Sequence, residues 1–68
     1  MYQAKITNKK TNSSTTFHNF HSRENAVLFI QEVALTQHNC VVENFTDTWE
    51  DDTFVVVVIE QIDEHPNQ

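Results

Sequence analysis

Residues 54–59 read Phe-Val-Val-Val-Val-Ile, and no other stretch of the chain restricts the fold as strongly. The run is much too short to cross a bilayer. Its β-branched residues favour an extended backbone, and it is apolar on both faces of whatever strand it forms. Such a strand belongs in the middle of a sheet that is covered on both sides. The fourth and last strand is therefore expected from Thr53 to Ile62, with residues 63–68, containing Pro66, as a short flexible tail.

The remaining elements follow from periodicity. Tyr2, Ala4 and Ile6 alternate with Gln3, Lys5 and Thr7, which predicts a half-buried strand over residues 2–8. Lys9 to Ser14 is polar and reads as a hairpin loop, and Thr15 to Phe20 as the returning strand. Phe17 and Phe20 are out of step with strict alternation, so this strand bulges or ends before Phe20. Ser22 reads as a helix N-cap with Glu24 in the favourable first turn. Ala26, Val27, Phe29, Ile30, Val33 and Ala34 share one broad face of a helix running to about Gln37, with Asn39 as its left-handed terminator. Leu28 and Leu35 lie on the opposite side and mark a candidate contact stripe. Val41, Glu43, Phe45, Asp47 and Trp49 alternate with Cys40, Val42, Asn44, Thr46 and Thr48, predicting a third strand that ends at the Glu50-Asp51-Asp52 turn.

The expected architecture is thus α+β, in the order β-β-α-β-β, with a mostly antiparallel four-stranded sheet in one domain over residues 1–62. One helix covers only one face of such a sheet. Something else should cover the face bearing either Val55, Val57 and Ile59 or Phe54, Val56 and Val58. A second copy of the chain or another protein would serve, which makes a homodimer one expectation.

Glycine is absent, so any backbone position needing positive φ falls to Asn or Asp, with Asn8, Asn12, Asn39 and Asp52 as candidates. With 68 residues the chain buries a small core and has a thin stability margin. Cys40 is the only cysteine, which excludes an internal disulfide and suits a reducing, cytoplasmic location. No segment has the pattern of a secretory leader or a membrane span, so no membrane association is expected.

Charge is divided along the chain. Lys5, Lys9, Lys10 and Arg23 are the only Lys and Arg residues, and every one of the ten acids lies from Glu24 onward, for a net charge of −6 with His neutral. An anionic surface repels nucleic acid and attracts basic protein surfaces. The plainer role of such charge is solubility.

Residues able to carry chemistry are few. His18 with His21, and His38 with Cys40, do not have the spacing of paired zinc ligands. Cys40 opens a Val-rich stretch, where a lone cysteine acts as a small hydrophobe rather than a nucleophile. Asp51 and Asp52 sit in a solvated turn, a poor setting for acid–base work. No phosphate-binding loop, nucleophile elbow or metalloprotease helix is present. No catalytic residue, metal or cofactor is expected, and the chain is read as a non-enzyme. Lys5, Lys9 and Lys10 near Tyr2, Phe17 and Phe20 could form a stacking platform, but three lysines neutralise few phosphates and the acids repel the rest. Direct nucleic-acid binding is not expected.

The constellation that remains is acidic. Glu43, Asp47, Glu50, Asp51, Asp52 and Glu60 crowd the second hairpin around Trp49. An aromatic anchor inside a charged rim is the composition of a protein-binding hot spot. Trp49 packing inward beside Val41 and Phe45 is the alternative, and alternation leaves both open. In size, acidity and element order the whole chain resembles small phage-encoded anti-defence proteins, in particular certain anti-CRISPR inhibitors. Such proteins are often small acidic single domains, and several place one helix across an antiparallel sheet. The resemblance rests on no shared signature residue. It implies an inhibitor in the host cytoplasm that docks on a basic, nucleic-acid-binding surface of a host complex. The leading expectation is therefore an inhibitor or adaptor that meets a basic partner through the acidic residues and Trp49. The alternative is a structural or assembly component that self-associates through Val55, Val57 and Ile59 or through Leu28 and Leu35.

Overall fold

The computed structural model describes residues 1–61, so the expected end of the last strand at Ile62 and the tail over 63–68 lie outside the described residues. The chain forms β1 (Tyr2–Asn8), β2 (Ser13–Phe20), α1 (Arg23–His38), β3 (Thr48–Glu50) and β4 (Phe54–Glu60). The strands make one sheet in the order β2-β1-β4-β3, and every pairing is antiparallel. The two-sided apolar run is β4, and it lies inside the sheet between β1 and β3. The α+β fold with β-β-α-β-β order is the one expected from periodicity.

The helix is bounded by the residues that its sequence suggests. The Ser22 side chain accepts a hydrogen bond from the Asn25 backbone N–H at 3.1 Å, satisfying one of the orphan donors of the first turn. At the other end Asn39 turns left-handed (φ 51°), and the N–H groups of Asn39 and Cys40 both donate to the Ala34 carbonyl. Among the described residues four have positive φ, namely Asn12, Asn19, Asn39 and Asn44, and all of them are asparagine. Asn12 and Asn39 match expectation, whereas Asn8 and Asp52 do not adopt this conformation. Glycine tolerates this region better still, so Asn39→Gly is expected to raise the unfolding free energy by about 0.5 kcal/mol in a denaturant titration.

Asn19 explains the irregularity in β2. Tyr2 pairs with Phe20 and Ala4 with Phe17, so His18 and Asn19 together oppose Gln3 in a β-bulge. The extra residue brings Phe17 and Phe20 to the same side of the sheet, where both rings meet Phe29 of the helix at centroid distances of 5.0 and 5.2 Å.

The third strand is shorter than alternation predicts. Only Thr48–Glu50 pairs with β4, and residues 39–47 form an irregular crossing segment. Asn44 is left-handed (φ 54°), which resets the alternation so that Cys40, Val42 and Phe45 are all buried. The segment returns alongside the helix: Gln31 Nε2 donates to the Val42 carbonyl at 3.0 Å, and Arg23 in the first helical turn pairs with Asp47. Helix and crossing segment together close one face of the sheet. The core beneath them holds Ala4 and Ile6 of β1, Val56 and Val58 of β4, and Ala26, Ile30, Val33 and Ala34 of the helix. Tyr2, Val27, Trp49 and Phe54 pack around it, partly buried.

Candidate functional site

The other face of the sheet has no covering layer among the described residues. Cross-strand register places its side chains in rows. Lys5 pairs with Val57 and Thr16, Thr7 with Val55 and Ser14, and Gln3 with Ile59. Thr48 and Glu50 of β3 continue the rows beside Val57 and Val55. Val55, Val57 and Ile59 therefore form a stripe about 13 Å long down β4, framed by Thr, Ser, Gln and Lys side chains. Val55 and Val57 are half-buried by their neighbours, while Ile59 is exposed. The alternation that buries Val56 and Val58 under the helix puts these three residues outside, as one of the two readings of the run required.

The acidic turn adjoins one end of this stripe. Glu50 is on the open face opposite Val55, and its Oε2 accepts from Lys9 Nζ at 2.6 Å. That ion pair ties the turn just after β1 to the last residue of β3. Asp51 is committed to the turn: its Oδ1 accepts from the backbone N–H groups of Thr53 (2.8 Å) and Phe54 (2.7 Å). Those two donors, Phe54 foremost, hold the Asp51 carboxyl below its ordinary value. Asp52 is exposed at the tip and makes no hydrogen bond or ion pair among the described residues.

The other acids lie elsewhere. Asp47 is on the crossing segment and paired with Arg23, whose guanidinium also sits 5.2 Å from the Tyr2 ring centroid. Glu43 is exposed on the same segment, along the covered side of the sheet. Glu60 ends β4 about 20 Å from the acidic turn, opposite Tyr2. Trp49 faces the core side, paired with Val56 and half-buried. Leu28 and Leu35 are 61% and 52% exposed on the outer side of the helix, away from the open face. The structure thus brings together Glu50, Asp51, Asp52, Val55, Val57 and Ile59, and it separates from them Glu43, Asp47, Trp49, Glu60, Leu28 and Leu35.

Folding also brings the two charge halves of the sequence into contact. Lys9 and Arg23 from the basic part meet Glu50 and Asp47 from the acidic part. Exposed ion pairs of this kind add little net stability, but they reduce the charge available to a partner. Lys5, in the middle row of the open face, makes no ion pair with a described residue.

Cys40 is buried where the crossing segment begins, and burial, with a smaller contribution from Asp51, pushes its thiol above the ordinary value. That environment disfavours the thiolate. Among the described residues no three His, Cys, Asp or Glu side chains converge as metal ligands would. No described helix is long and apolar enough to cross a membrane. Compared with protein-family models, with curated proteins and with solved structures, the chain matches none of them.

Proposed function

We propose that this chain is a protein-binding module, an inhibitor or adaptor, that docks the open face of its sheet on a basic surface of a partner protein. The observation that carries this reading is the stripe of Val55, Val57 and Ile59 on the uncovered face, with the Glu50–Asp52 turn at its end. An apolar centre with a polar and charged rim is the usual anatomy of a protein interface. The sheet face alone covers on the order of 400 Å² per partner, about half of a standard interface. The acidic turn and the neighbouring strand edge are needed to complete it. In the setting implied by the resemblance to anti-CRISPR inhibitors, the partner is a nucleic-acid-binding host complex, and the turn takes a place otherwise occupied by phosphates.

The charge contribution is tested at Asp52, because reversing Asp51 would also remove the carboxylate that holds the turn together. Asp52→Lys is expected to weaken capture of a basic partner severalfold at about 0.05 M salt and to matter much less at about 0.5 M, where screening is strong. Equal capture by wild type and variant at both salts would remove the electrostatic part of the reading. A second reading, an assembly component that self-associates, is favoured by the exposure of Leu28, Leu35 and Ile59. Apolar self-association of that kind is insensitive to the same change in salt.

A further inference from the structure

Beyond what docks on the open face, the edge of the sheet formed by β2 has a feature of its own. An edge strand presents unpaired N–H and C=O groups, and sheets blunt it with charge, proline, shortness or a bulge. The opposite edge obeys that rule: β3 is three residues long and is bounded by Asp47 and Asp51. Strand β2 is eight residues long and contains no Lys, Arg, Asp, Glu or Pro. Its one device is the bulge at His18 and Asn19, where the Asn19 N–H donates to Gln61 Oε1 at 2.7 Å. Among the described residues no strand pairs with the outer side of Ser13 to Phe17, which is a regular, uncharged edge.

A second observation lies directly above it. Phe29 is 41% exposed although its ring touches both Phe17 and Phe20, so the aromatic cluster over the β2 side is not closed. The helix sits chiefly over β1 and reaches β2 mainly through these rings.

We propose that β2 pairs with β2 of a second copy, antiparallel about a two-fold axis at Thr15. Thr15 then faces its own counterpart, Ser14 faces Thr16, and Ser13 faces Phe17. This register joins the two sheets into one of eight strands with both helices on the same side. Three features favour a second copy of the chain at this edge. Strand β2 itself carries no carboxylate, so two chains of net charge −6 pair along it without placing an acid of β2 against an acid. No charged residue faces another in this register, and the Thr15–Thr15 and Ser14–Thr16 pairs are favourable cross-strand neighbours. In the joint sheet the two β1 strands are about 14 Å apart, wider than the 8–10 Å of direct helix contact, and the aromatic clusters of both copies fill that gap. The pairing also sets two open faces side by side, so a partner with repeated sites is held with greater avidity.

The test is sedimentation velocity on wild type, T15E, T15K and an equimolar mixture of the two variants, with thermal melts to show that each is folded. Thr15 is exposed, so neither substitution disturbs the core. Wild type is expected to dimerise at tens of micromolar, and each variant about tenfold more weakly, because like charges then face each other across the axis. The mixture should regain the dimer, and amide exchange at Ser13–Phe17 should slow as wild-type concentration rises. Wild type that stays monomeric at about 100 μM, a concentration at which even a weak specific interface is populated, overturns the proposal. So does undiminished dimer in both variants, or a mixture that fails to regain it. None of these results bears on capture of a basic partner by the open face.

Discussion

Ile30→Ala is expected to lower the unfolding free energy by about 3 kcal/mol and to leave a substantial fraction of the chain unfolded at physiological temperature. Ile30 is completely buried at the centre of the helix face and packs in the cluster that holds Ala4, Ile6, Val56 and Val58. Ala26, one turn earlier on the same helix, and Ala4 of β1 in the same cluster are already small, and they leave little side chain able to move into the space. The cost therefore includes both the lost transfer free energy and most of the cavity. A domain of 68 residues has a total stability of roughly 3–10 kcal/mol, so this one truncation removes a large share of it. Chemical denaturation followed by circular dichroism reads the shift directly. A loss below about 1 kcal/mol would mean that the helix is not seated on β1 and β4 as described.

The second large effect is expected on binding, with little change in stability. Val57 is the middle residue of the open stripe, flanked by Lys5 on β1 and Thr48 on β3. In V57E the new carboxylate is placed beside the Lys5 ammonium, a favourable cross-strand pair, so the fold loses no more than about 1 kcal/mol. Against a partner the same carboxylate replaces an apolar anchor and must be desolvated on docking. Truncating or charging the centre of an interface typically costs about 2 kcal/mol or more, roughly a thirtyfold loss of affinity. Val57→Ile keeps shape and polarity and should bind as wild type does. If both variants bind equally, the stripe is not the contact.

Much of the fold could be read from local patterns because those patterns have local causes. The apolar run of β4 marks a strand inside the sheet. Ser22 and Asn39 bound the helix through hydrogen bonds made within a few residues of each. The spacing of Phe17 and Phe20 signals the bulge because both must reach the helix side. The third strand is shorter than its alternation suggests for a non-local reason. Alternation from Val41 to Trp49 looks like a strand, but the chain must travel from the helix end to the far edge of the sheet before it can pair. Its backbone is held on the way by Gln31, and its parity is reset at Asn44.

The candidate site was legible in composition but not in placement. Crowding of acids around Trp49 in the sequence does not survive folding, because neighbouring residues of an extended segment point to opposite faces. Glu50 faces the open side while Trp49 faces the core, and Asp47 is drawn to Arg23. The pairs Lys9–Glu50 and Arg23–Asp47 join the basic and acidic halves across the tertiary structure, where sequence spacing carries no signal. The division of charge along the chain is therefore partly closed within the fold, where Lys9 meets Glu50 and Arg23 meets Asp47. Among the described residues, the acid that remains exposed, unpaired and next to the apolar stripe is chiefly Asp52.

The decisive measurement is a side-by-side calorimetric titration of wild type, V57E and Val57→Ile against the partner isolated with the wild-type chain. A drop of about thirtyfold for V57E, unchanged affinity for Val57→Ile and closely similar melting curves for all three would place the contact on the open sheet face. A folded V57E that binds as tightly as wild type would contradict it and move the contact to another surface of the molecule.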